Sequence, residues 1–536
     1  MNTFKSYLYI LLGLLCILLI QFWFQENNTA TVSTQSATTN PTAAVVKSAS
    51  VDKPSPDQLA VIKNDNMKVN INLEGGRVVK TELNDYFKTI AKKENQTVLN
   101  YGDGFSYYAQ SGFLGDELLT YSINKQESTT DKLVLEAKSG AFVYRKIFEF
   151  GGETYTVKQT NMVENIGALD QKVVPYNSFV SLHDGQDNIM KTPKNFTPVA
   201  GVKEGNGWFV LPTYAGVSYH TDETPYVKYP YTQIAKEDGS ISLEKAGWFA
   251  VQQRYFLNAW VPKEVGAGVL NTQWLPTDTD GLSRFSVTML GMQYDLASNQ
   301  AFTTTETLYS GPELADVLGQ IAPGLNLTID YGWLWLLSEV IFKVLNIIYD
   351  LFNNWGVAII LTTALIKLLF YKMSEKGFVA SLKMKDLQPR IKDIQERFKD
   401  DAAQKSQAIM ALYKEEGVNP VGGCLPILVQ FPFLIALYWV LVESVQLRHA
   451  SFLWIPDLSS YDPYYILPLI MGVGLFFQQK LTPTNLDPAQ EQAMMIMPVM
   501  MTFIFCQFPA GLALYMLTNA VLSALQQWYL TQKYNK

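Results

Sequence analysis

Between residues 59 and about 322 the chain is built from short alternations of apolar and polar positions. In KVNINL, Val69, Ile71 and Leu73 fall on one side of an extended chain, and KLVLEA, FVYRKIFEF and YTVKQTNMV repeat the pattern. Side chains of a strand point alternately to opposite faces, so each stretch predicts a strand with one buried face. EGG, KSG and FGGE separate the stretches and supply turn chemistry. Many short strands at this spacing predict an antiparallel β-sandwich or barrel. Beyond residue 325 the alternation gives way to long apolar runs, and one more run occupies Tyr7–Phe24.

The run at Tyr7–Phe24 follows Lys5 and is apolar except for Gln21. It is longer than a usual signal core and no A-x-A site follows closely, so an uncleaved anchor with a cytoplasmic N-terminus is expected rather than a cleaved signal peptide. Cys16 invites a lipoprotein reading, but Leu15 stands where a small residue is required. Residues 26–58 are rich in Thr, Ser, Ala and Asn and predict a flexible tether.

In the segment from Tyr331 to Gly356, Glu339, Lys343, Asn346 and Asp350 share one helical face. Leu337, Ile341, Val344, Ile348 and Leu351 share the other. This predicts an amphipathic helix lying in the membrane interface. If it lies flat, the next run, Trp355–Tyr371, travels inward and the loop 372–419 is cytoplasmic. That loop holds ten Lys and Arg, as the positive-inside rule requires. Further runs at about 425–445, 464–479, 493–507 and 511–530 complete six spans. Within the loop, Met384, Leu387, Ile391, Ile394 and Phe398 step by three and four, Asp400 and Asp401 interrupt, and a second amphipathic segment follows. A helical hairpin over 373–417 is predicted, either a solvated structural element or a docking arm for a ribosome or targeting factor. The expected domains are thus an anchor (1–25), a linker (26–58), a β domain (59–325), an interfacial helix (326–354) and a five-span core (355–536).

Composition narrows the chemistry. The 536-residue chain is 48% hydrophobic and 17% charged with a net charge of −7, which argues against a general nucleic-acid binder. Three cysteines and three histidines form no metal-binding spacing, and no GxSxG, GxxxxGK, GxGxxG or HExxH is present. No enzyme activity and no cofactor are expected.

Lys367 stands out, because a cation within a span costs about 2.5–3.5 kcal/mol on the insertion scale. Its stem could carry the ammonium to the headgroups. Alternatively it belongs to a polar interior. Thr363 precedes it by one turn. Tyr515, Thr518, Asn519, Ser523 and Gln526 lie close to one side of the last run, and Gln430 and Gln479 add amides from two others. The methionines around Met497, Met500 and Met501, with Phe433, suggest an adaptable apolar slide; lipid-facing filler accounts for them equally well.

Several stretches, in order, resemble the YidC/Oxa/Alb family of membrane protein insertases. They are YYAQSGFLG, GWFAVQQRYFLNAWVP, IDYGWLWLLS, VNPVGGCLP, FPFLIALY, DPYYILPLIMG and FPAGLALY. The resemblance implies a multi-pass protein of a bacterial inner membrane. It implies a periplasmic β-supersandwich like the galactose mutarotases, and five spans around a hydrophilic groove open to cytoplasm and lipid. It implies nascent membrane proteins, the Sec translocon and membrane lipids as partners. Most members place an arginine in the groove where this chain has Lys367, which keeps the charge and loses the planar fork of donors. Lys372 replaces a proline often found near the end of that span. Two other functions stay open on the residues alone: a small-solute transporter or channel, and a carbohydrate-binding protein using His183 or His220.

Overall fold

A computed structural model describes residues 53–102, 104–184, 214–236, 239–245, 247–263, 266–275, 282–399, 401–418, 425–481 and 488–534. The anchor and nearly all of the linker lie outside the described residues. The chain divides into two compact units, one reaching Ile329 and the other beginning at Asp330.

The first unit is all-β apart from short helical turns. One antiparallel sheet has ten strands and a second has nine. The strand Met67–Asn72 buries Val69 and Ile71 completely, as its alternation predicts. It turns at Glu74–Gly76 into Arg77–Phe87. Gly75 takes a left-handed φ of +73°, and a Cβ there would lie 2.3 Å from the Glu117 carbonyl. The two sheets meet through large rings. Phe179 of the ten-stranded sheet packs on Trp260 and Phe249 of the other, at 6.0 and 5.6 Å. The Trp260 indole N–H also donates to the Ser178 carbonyl at 3.1 Å. Burying each such ring contributes roughly 1.5–3 kcal/mol.

The interior of this sandwich also holds charge. In the strand Phe142–Phe150, Tyr144, Lys146 and Phe148 face inward. Lys146 pairs with Asp116 at 3.0 Å, both essentially inaccessible to solvent. Its ammonium also donates to the carbonyls of Gly75 and Ser111 at 2.9 and 2.8 Å. Tyr121 and Tyr176 donate their hydroxyls to Asp116 at 3.0 and 3.2 Å. Nearby, buried Glu306 accepts from Asn161 Nδ2 at 2.9 Å and from Ser111 Oγ at 3.4 Å.

The second unit is helical: α1 (Trp335–Phe352), α2 (Trp355–Leu369), α3 (Tyr371–Asp386), α4 (Gln388–Arg397), α5 (Ala402–Glu415), α6 (Leu425–Glu443), α7 (Ile466–Leu481), α8 (Pro488–Phe505) and α9 (Ala510–Tyr534). Helix α1 has three strips where the sequence predicted two. Ser338, Ile341, Phe342, Leu345 and Ile348 are buried, and the Ser338 hydroxyl donates to the Ala436 carbonyl of α6. Leu336, Val340, Ile347 and Leu351 form an exposed apolar strip. The polar strip of Glu339, Lys343, Asn346 and Asp350 lies between them. The third strip arises because α1 packs on a neighbour while still presenting an apolar side outward.

Among the described residues no single helix is long and apolar enough to cross a membrane. The pair α2 and α3 passes together but is bent by 64° at Phe370, and shorter apolar helices span Val429–Glu443, Ile466–Lys480 and Met495–Phe505. Helix α2 has 15 residues, about 22 Å at 1.5 Å per residue, against a hydrocarbon thickness of about 30 Å. Helices α3 to α5 cover the stretch for which the sequence predicts a hairpin. Leu387, Ile391, Leu412 and Val418 make its core, with Met384 and Ile394 packed against them. Asp401 caps α5 by accepting from the Ala403 and Gln404 amides.

The loop between α6 and α7 closes one end of the bundle. Its Ser460 and Leu458 carbonyls accept the Ala510 and Gly511 amides at 2.7 and 2.9 Å, satisfying orphan donors at the start of α9. Buried Asp462 accepts from the Leu467 and Tyr464 amides and from the Trp454 indole.

Candidate functional site

Helices α2 and α9 run side by side in the same direction. Gly511 lies beside Ile359 near their starts. Lys367 meets Ser523 further along, and Gln526 donates to the Tyr371 carbonyl at 3.3 Å beyond that. This register places Lys367, on the twelfth residue after Trp355, level with Ser523, the thirteenth after Ala510.

Lys367 opens into a cavity of about 200 Å³ lined from five helices. That is room enough for several waters. Helix α9 contributes Tyr515, Asn519, Ser523 and Gln526, a stripe at helical spacing. Helix α6 contributes Gln430, Phe431 and Leu434, next to Pro432, which removes one N–H from the helical ladder. Helix α3 adds Ser374, Phe378 and Ser381 to the lining, and α7 adds Gln478. The Lys367 ammonium donates to Ser523 Oγ at 2.7 Å and to Gln430 Oε1 at 3.3 Å. Its neighbours Leu365, Leu368 and Leu369 are exposed on the outer side of α2. Lys367 is the one charged residue in the lining, and among the described residues no carboxylate pairs with it.

The structure brings together six of the residues singled out from sequence: Lys367, Gln430, Tyr515, Asn519, Ser523 and Gln526. It places three others elsewhere. Thr363 is buried and donates to the Ile359 carbonyl at 2.6 Å, a bond within its own helix. Thr518 lines a separate apolar cavity with Ile360, Phe452 and Leu514. Gln478, rather than Gln479, lines the polar cavity; adjacent helical residues point about 100° apart, and both are amides. Phe433 packs edge-on against Phe370 at 5.1 Å, while its neighbours Phe431 and Leu434 face the cavity. Met497 and Met500 are exposed on α8, outside the cavity lining, and Met501 is half-buried. Ser374, Ser381 and Gln478 had no signal beyond being polar residues near apolar runs. Among the described residues no cluster of His, Cys, Asp or Glu could hold a metal ion.

The described residues thus pair an all-β domain with a helical unit in which one cation opens into a partly polar cavity. A family model described as 60Kd inner membrane protein matches residues 347–536, and one described as YidC periplasmic domain matches residues 59–344. The membrane protein insertase YidC of Actinobacillus succinogenes is 34% identical over 98% of this chain and 97% of its own length. That of Legionella pneumophila is 37% identical over 89% of this chain and 85% of its own. The chain belongs to the YidC family of membrane protein insertases. A solved structure of an active YidC insertase is similar over 90% of this chain and 93% of that one, at 18% identity and a TM-score of 0.39. A galactose mutarotase related enzyme from Lactobacillus acidophilus is similar over 47% of this chain and 97% of its own, at 9% identity and a TM-score of 0.29.

Proposed function

We propose that this chain inserts newly made membrane proteins into the inner membrane and assists their folding, using the cavity around Lys367 as the entry site. The observation that carries this reading is an ammonium that meets no carboxylate among the described residues and is held by neutral acceptors in a partly polar cavity among apolar helices. An incoming acidic flank supplies the missing charge. The polar lining replaces part of its hydration, so the flank crosses less hydrocarbon. The adjoining apolar segment then partitions sideways into lipid, each Leu, Ile, Phe or Val contributing about 0.3–0.6 kcal/mol. Insertion needs no nucleotide, since the client's own hydrophobicity drives it.

The topology that fits this function has six spans with both ends in the cytoplasm, the β domain in the periplasm, α1 in the outer interface and α3 to α5 on the cytoplasmic side. Residues 1–25 anchor the chain, 26–58 tether the β domain (59–325), and 355–536 form the insertase core. The exposed apolar strip of α1 supports its place against lipid. Met497, Met500, Met501 and Phe433 serve as an apolar slide for varied clients. The hairpin docks a ribosome or targeting factor, and the insertase works alone or beside the Sec translocon.

The test is insertion into proteoliposomes of a small client with an acidic flank, by wild type and by Lys367→Ala. A clear loss in the variant is expected; undiminished insertion overturns the electrostatic role of Lys367.

A further inference from the structure

The position of the Lys367 ammonium, as well as its charge, is specified. A lysine stem this long can carry its head along the helix toward the headgroups. Here it does not. The ammonium reaches across to α9 at its own level, about 18 Å along α2 and about 20 Å along α9 at 1.5 Å per residue. The acceptor there is the hydroxyl of Ser523, which is nearly inaccessible to solvent.

The polarity of that hydroxyl is itself set. Ser523 Oγ donates to the Asn519 carbonyl at 2.6 Å, one helical turn back. Its single hydrogen is therefore committed, and only lone pairs face the lysine. Gln430 Oε1 accepts a second ammonium hydrogen at 3.3 Å from α6. An ammonium has three donors. With two directed at α6 and α9, the third is left for whatever enters the cavity. Lys367 has no further partner among the described residues.

We propose that Ser523 is a positioning residue: it holds the Lys367 ammonium inside the cavity at a fixed depth, with one donor aimed at an anionic group of the client. This rests on the insertase reading above, and the experiment separates the two. Two clients differing only in an acidic or a neutral flank are inserted by the full chain in proteoliposomes. The variants are wild type, Ser523→Ala, Ser523→Thr, Lys367→Ala and Ser523→Ala with Lys367→Ala. Alanine is the best helix former, so Ser523→Ala leaves α9 intact.

Ser523→Ala is expected to lower insertion of the acidic-flank client on the order of tenfold, the loss of one hydrogen bond to a charged group. Its effect on the neutral-flank client is clearly smaller. Ser523→Thr restores the acidic client, because threonine keeps the hydroxyl. In the Lys367→Ala background Ser523→Ala has no added effect. Equal losses on both clients, a loss that persists without Lys367, or failure of threonine to rescue each overturn the positioning role. If Lys367→Ala itself does not distinguish the two clients, the electrostatic reading falls and the positioning role falls with it. If Lys367→Ala distinguishes them and Ser523→Ala does not, only the positioning role falls.

Discussion

Lys146 and Asp116 face each other at 3.0 Å inside the β-sandwich, with 1% and 0% of their side chains exposed. Burial pulls the Lys146 ammonium below the ordinary lysine range, and Asp116 opposes the pull. Removing one partner strands the other in a dry interior, at a cost of about 3–5 kcal/mol. Asp116→Ala should therefore lower the thermal midpoint of the β domain sharply, read by circular dichroism of the full chain in detergent. Asp116→Leu with Lys146→Met should recover much of the loss, because no charge then remains to be solvated. Equal destabilisation by the single and double variants would count against the pair.

Glu306 makes the β domain sensitive to pH. Burial pushes its carboxyl up from 4.5 to about 7, against hydrogen bonds from Ser111 and Asn161. The folded state holds this proton after the unfolded chain has released it. Its stabilising contribution is therefore full below about pH 4.5 and is lost as pH rises toward 7. The shift corresponds to roughly 3 kcal/mol. Glu306→Gln keeps a neutral group in the same place and should flatten this part of the stability profile, measured as thermal midpoint against pH. An unchanged slope in the variant would assign the dependence to other groups.

Helices α7 and α8 approach closely at Gly472. A Cβ there would lie 2.0 Å from Thr502 Oγ1, which donates to the Pro498 carbonyl at 2.8 Å. Gly472→Ala should push the two helices apart, at about 1–3 kcal/mol for overpacking. Thr502→Ala removes the clashing oxygen and should recover most of that loss, a coupling that a double-mutant cycle on thermal stability measures directly.

Lys367→Arg tests whether shape matters beside charge. The guanidinium carries five donors in a planar fork. Gln430 and Ser523 can both accept from it, so insertion of an acidic-flank client should stay within about twofold of wild type. Lys367→Met, similar in length and uncharged, should fall about tenfold, equivalent to a net 1.4 kcal/mol. Equal activity of the two variants would remove charge from the account.

The β alternation was readable because one face of each strand meets the core, as Val69 and Ile71 do. Lys146 was not. It occupies an inward position between Tyr144 and Phe148, but Asp116, which makes that position tolerable, lies 30 residues away in sequence and is brought near only by the fold. In the helical unit, polarity marked Lys367, Gln430, Tyr515 and Asn519 because little else near them is polar. Pattern could not choose between Gln478 and Gln479, nor tell that Phe431 and Leu434 face the cavity beside Gln430, since the rest of α6 up to Val442 is apolar on every side. Thr363 and Thr518 looked like groove residues by type. Each instead returns its hydroxyl to the carbonyl four residues back, Ile359 and Leu514, an option open to any helical threonine.

The 64° bend at Phe370 sends α3 off the axis of α2 three residues beyond the ammonium. Helix α3 nevertheless stays with α9: Lys533 pairs with Glu375 at 2.8 Å, and Phe378 and Ser381 are buried. One helix thus holds the chain on both sides of the bend, so the depth of the charge and the angle of the arm are fixed together.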